Sequence, residues 1–109
     1  MAICSIQRSA VSGEYVFTKG FDPRLYAEQH GLAPDSFANV LVLTKGGLAR
    51  LIVIDPKSGH VTSLETRWSL REDGTNVSVH KFSHSIAKPP WGSGIRLAAG
   101  DGVGYDKVR

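Results

Sequence analysis

Trp68-Ser69-Leu70-Arg71-Glu72-Asp73-Gly74-Thr75-Asn76-Val77-Ser78-Val79 is the stretch on which the fold turns. Apolar and polar residues alternate on both sides of Asp73-Gly74, and that dipeptide accepts the positive φ a two-residue hairpin loop demands. Such a loop sets Glu72 opposite Thr75, which predicts Leu70 opposite Val77 and Trp68 opposite Val79. Leu64 joins these four residues on one face, which reads as the core.

Further hairpins extend upstream from this one. Asn39 to Thr44 turns at Lys45-Gly46-Gly47-Leu48, and Leu48 to Asp55 turns through Pro56-Lys57-Ser58-Gly59. His60 to Arg71 follows, and Asn76 to Ala87 reads as one continuous strand. Propagating the register adds Leu51, Val53, Val40 and Val42 to the core face. The opposite face carries Leu41, Leu43, Ile52, Ile54 and Val61 at one side and Arg50, Glu65, Arg67, His80 and His84 at the other.

Nearer the N-terminus, Ala2 to Arg8 and Glu14 to Thr18 read as strands joined at Ser12-Gly13. Asp22 then offers a cap, Pro23 suits the first helical position and Gly31 takes the left-handed stop, so the intervening residues form a helix. Its Leu25 and Tyr26 are expected to meet Leu32 and Phe37 or a sheet face. Beyond Ala87, residues 88–109 are rich in Gly and Pro and read as a loosely ordered segment. Within it, Ile95 to Ala99 offers one more strand, and Tyr105 and Val108 are candidate anchors. The expected fold class is α+β: a mainly antiparallel sheet of four to six strands, a meander of hairpins, with one short α-helix, in a single domain spanning 1–109.

Composition sets the outer limits. A chain of 109 residues with 41% hydrophobic and 21% charged residues has one core rather than two and is not disordered. The single Cys4 excludes an intrachain disulfide, fits a reducing cytoplasm and reads as a small packed side chain. Met1 to Gly13 lacks a basic stretch followed by an apolar one, so no signal peptide is expected. No uninterrupted apolar run exceeds the length of Leu51 to Ile54, so no membrane span is expected either.

Charge gives the first functional reading. The net +3 arises after Pro56, where 8 basic residues face 5 acidic ones, and no acidic residue lies between Asp73 and Asp101. This acid-free interval, Asn76 to Arg96, holds Lys81, Lys88 and Arg96. It also holds Trp91, in the rigid setting Lys88-Pro89-Pro90-Trp91. Cations interleaved with an aromatic suit a phosphate backbone or an acidic protein surface. On this reading the protein is a small non-enzymatic binding module for a protein or nucleic-acid partner, and its strand edges offer a route to a homo-oligomer.

A second reading is enzymatic. In the derived register Arg67 lies across from His80, Ser63 from His84 and Arg50 from Glu65, which gathers Glu65, His80, His84 and Arg67 on one sheet face. A carboxylate, an imidazole and a guanidinium together supply base, acid and anion stabilisation, the set a metal-independent ribonuclease needs. Equally, alternating cross-strand charges are an ordinary way to keep a sheet face solvated. His80 and His84 sit too far apart along one strand to share an ion, and neither Gly92-Ser93-Gly94 nor Gly100 to Gly104 completes a phosphate-loop motif. No metal and no cofactor is expected.

Overall fold

The computed structural model describes residues 8–34, 36–71, 74–80, 82–87, 94–100 and 102–109. Eight antiparallel strands follow one another round a closed barrel: β1 (Gly13–Phe17), β2 (Val40–Leu43), β3 (Leu48–Ile54), β4 (Val61–Leu70), β5 (Asn76–Val79), β6 (Phe82–Ala87), β7 (Arg96–Gly100) and β8 (Val103–Lys107). One-turn α1 (Arg8–Val11) precedes β1, and α2 (Pro23–Gln29) lies between β1 and β2. The antiparallel sheet and short helix agree with the expected class. The strand count is higher than four to six, because two segments that read otherwise in the sequence are strands and β1 closes on β8 through Val16 opposite Asp106.

The Asp73-Gly74 hairpin has the expected register, with Trp68 opposite Val79 and Leu70 opposite Val77. Trp68 is buried, and its indole N–H donates to the Thr44 carbonyl at 2.7 Å. Between β2 and β3 the register differs by one residue. Thr44 and Leu48 close a three-residue loop in which Gly47 has φ of +95°, so Leu41 pairs with Leu51 and Leu43 with Ala49. In a pleated strand a one-residue slip exchanges the two faces. Leu41 and Leu43 therefore fill the core, while Val40 and Val42, expected inside, point outward.

The reading of Asn76 to Ala87 as one strand is also corrected. The chain reverses after Val79, with Val79 opposite Phe82 and Val77 opposite His84, so the segment is the β5–β6 hairpin. His80 takes a φ of 56° at the turn. Histidine is among the non-glycine residues enriched in this region, but it carries none of the turn signal of Asn or Gly.

α2 follows its punctuation. The Asp22 side chain accepts from the Arg24 N–H at 3.0 Å, Pro23 opens the helix, and Gly31 takes φ of +71°. The helix plugs one end of the barrel through Tyr26, whose ring lies 5.3 Å from Phe37 and 5.9 Å from Phe17. Leu25 and Leu32, expected to pack here, are exposed. Arg8, expected in a first strand, begins α1; the rest of that segment, Cys4 included, lies outside the described residues.

Where it is described, the C-terminal segment is largely strand. β7 and β8 complete the ring, Tyr105 is buried, and its hydroxyl accepts from the Ala38 N–H at 2.9 Å. A Cβ at Gly104 would collide with the Leu97 carbonyl, so glycine is what lets these two strands approach. Val108, the other expected anchor, is exposed.

Candidate functional site

Barrel closure removes free strand edges, and here it does so incompletely. β4 is 10 residues long and pairs with β3 from Val61 to Arg67, but among the described residues its pairing with β5 runs only over Trp68, Ser69 and Leu70, with one further backbone bond at Arg67. The half from Val61 to Thr66 projects past the β5–β6 turn. Backbone groups alternate sides along a strand. The Trp68 N–H donates to Gly47 on the β3 side, and the Arg67 carbonyl accepts from the His80 N–H on the β5 side. By that alternation the N–H and C=O of Ser63 and Glu65 face the open edge, where no described strand pairs with them.

Beside this edge lies a groove of about 420 Å³ lined by Leu51, Val53, Thr62 and Leu64 from the sheet and by Arg24 and Pro34 from the segment that plugs the barrel end. Leu64 is 44% exposed. It was expected in the core with Trp68, and it shares that inward face, but no described strand flanks it on the β5 side. On the outer face Arg50 and Glu65 sit opposite one another with a 3.4 Å contact, as expected, and both are well exposed. Val61 and Ile54, another opposed pair, add apolar surface there.

The residues of the nuclease reading are not gathered on one face. Glu65 and Arg67 point outward on β4 and are exposed. His80 is exposed at the turn, and its Nδ1 lies 3.4 Å from the hydroxyl of Thr66, a residue of opposite parity to Glu65. His84 is 4% exposed and faces the barrel interior opposite Val77, so the expected pairing with Ser63 does not occur. Its Nδ1 lies 3.3 Å from the Ala98 carbonyl and its ring meets Tyr105 edge to face at 5.5 Å. Burial pushes the His84 pKa below the ordinary imidazole value, partly offset by the Ala98 carbonyl. Among the described residues, no group of His, Cys, Asp and Glu is placed to hold a metal ion.

The cationic set fares differently residue by residue. Arg96 is 7% exposed and forks onto Asp106, with Nε 2.6 Å from one carboxylate oxygen and Nη2 3.1 Å from the other, while Nη1 donates to the Gly102 carbonyl at 2.8 Å. Its guanidinium is thus engaged within the fold rather than displayed on an open surface. Lys81, Lys88 and Trp91 lie outside the described residues.

Compared with known proteins, the chain matches no family model, no curated protein and no solved structure.

The open edge and its groove were hidden in the sequence because Leu51, Val53 and Leu64 read as core, and because the unmarked turn at His80 made β4 and its neighbour seem equally long. The available signal was length. Once β5 ends at Val79, a strand running from Val61 must overhang it.

Proposed function

We propose that the protein is a non-enzymatic binding module that takes a protein partner by strand addition at the β4 edge. The overhanging backbone of Ser63 and Glu65 carries this reading. Unpaired N–H and C=O groups spaced along an extended strand are complementary to another extended chain, and a double-stranded nucleic acid offers no equivalent ladder. The dispersal of Glu65, His80 and His84 weighs against the nuclease alternative, and the engagement of Arg96 by Asp106 weighs against a phosphate-binding stripe that depends on it.

The test uses Ser63→Pro, which removes an edge N–H and places a ring where a partner strand would dock, at a position where an edge proline is tolerated. Linear peptides selected from a random display library on the wild-type protein are expected to lose about tenfold or more in affinity for this variant, as the loss of one or two backbone hydrogen bonds implies. Circular dichroism should show the variant folded. Equal affinity for both proteins, or a selection that yields no binder while a short oligonucleotide binds at low salt, would overturn the reading.

A further inference from the structure

We propose that the β4 edge takes an extended peptide bearing an aliphatic side chain and, two residues away, a carboxylate. This rests on the strand-addition reading above and specifies its occupant. Alternate residues of an added strand point to the same face as Thr62, Leu64 and Thr66. The peptide residue opposite Leu64 therefore enters the groove between Leu51, Leu64 and Pro34, where burial favours an aliphatic group.

The next inward position lies opposite Thr62, and Arg24 stands at that end of the groove. Arg24 is the charged residue among the described lining of this groove, and it also lines the adjoining cavity with Asp22, Glu28, Asp55 and Lys57, which begins where β3 leaves Ile54 opposite Val61. A carboxylate opposite Thr62 is thus brought to a guanidinium, while a lysine there would meet a like charge. Outward positions of the peptide face Ser63 and Glu65, which set no apolar requirement.

A second copy of the chain is disfavoured in the two-fold register that would pair the Leu64 side chains. A two-fold pairing that sets Leu64 against its equivalent puts the second copy's Arg67 opposite Val61. The second copy's own His80 already occupies that position, because its N–H bonds to the Arg67 carbonyl. A free peptide has no neighbouring hairpin and can lie along Val61 to Thr66 without that conflict.

The experiment titrates fluorescein-labelled, end-capped threonine-rich peptides carrying one leucine and one glutamate two residues apart, in both orders, against the wild-type protein. Fluorescence anisotropy reports the affinity. One order is expected to bind, and replacing its leucine by alanine or its glutamate by lysine should weaken binding by about tenfold each. With Arg24→Gln, whose folding circular dichroism checks, the preference for glutamate over glutamine should vanish while the leucine requirement persists. If the peptides bind and Ser63→Pro abolishes binding, yet leucine, glutamate and Arg24 prove immaterial, the peptide chemistry is wrong and strand addition stands. If neither order binds the wild type, the proposal is overturned, and the library selection then decides strand addition independently. A concentration-dependent dimer in sedimentation, abolished by Ser63→Pro, would assign the edge to a second copy and overturn it as well.

Discussion

Asp106→Ala removes the carboxylate that receives the buried Arg96 fork. In the folded protein both groups are almost fully shielded, with the arginine 7% and the aspartate 4% exposed, and two charge-assisted hydrogen bonds of 2.6 and 3.1 Å join them. Without Asp106 the guanidinium keeps its charge, since it cannot shed a proton near neutral pH, and it must either remain buried without its anion or pull out and open the β7–β8 wall. Breaking such a pair on one side costs about 3–5 kcal/mol, a large share of the roughly 5–15 kcal/mol that holds a domain of this size together. With an unfolding entropy of about 2 cal/mol/K per residue, a loss of about 4 kcal/mol lowers Tm by roughly 15–20 °C. Thermal melts by circular dichroism measure this directly. The companion Arg96→Met/Asp106→Leu variant removes both charges and should recover most of the loss, so the two sites must be strongly non-additive. Glu65→Gln, which perturbs an exposed pair 3.4 Å long, should change Tm by no more than a degree or two. If Asp106→Ala were as mild as Glu65→Gln, or if the double variant were as unstable as Asp106→Ala, the view of this pair as a buried, mutually dependent unit would be refuted.

His84 is buried with its pKa held below the ordinary value near 6.5, so the folded state favours the neutral ring. The stability it contributes is complete above the unfolded-state pKa and falls as pH drops below it, at up to about 1.4 kcal/mol per pH unit. His84→Phe, which keeps an aromatic against Tyr105, should flatten the decline in Tm between pH 6.5 and the acid limb, and an unchanged slope would place the acid sensitivity elsewhere. Trp68→Ala should cost about 3–5 kcal/mol in denaturant melts. Leu64→Ala should cost under about 1 kcal/mol, because one side chain is enclosed and the other lies open beside the edge, and equal losses would contradict the overhang.

Where a turn is marked by residues that need its backbone, the sequence was readable to the residue. Asp73-Gly74 set the β4–β5 register, and Asp22, Pro23 and Gly31 bounded α2. At Lys45-Gly46-Gly47 the marking was real but ambiguous, since glycines serve two-, three- and four-residue loops alike, and the choice among them exchanged Val40 and Val42 for Leu41 and Leu43 in the core. The turn at His80 carried no mark, so His84 was placed outside beside Glu65 when it lies inside beside Tyr105. In the C-terminal segment, Gly104 looked like loop chemistry because local propensity cannot report that β7 and β8 pack backbone to backbone. The burial of Arg96 is hidden for a related reason: its anion, Asp106, comes opposite it only when the β7–β8 hairpin forms.

The charges around the open edge bear on how a barrel can keep one. An exposed strand carrying Val61 and Leu64, with Ile54 across from Val61, is a template for uncontrolled pairing between copies. Glu65 lies on that strand and faces Arg50, so a second copy's strand laid along this edge meets a charged pair on its outer face. The two-fold register that would pair Leu64 with Leu64 is obstructed by the hairpin turn at His80. The turn obstructs a second copy of this barrel and not a short chain without a hairpin of its own. A Glu65→Val variant therefore separates the two effects: it should leave peptide affinity within about twofold while making the protein prone to self-association, detectable as a rise in light scattering at high concentration. If self-association did not increase, the outer-face charge would have no guarding role, and the turn alone would account for the selectivity of the edge.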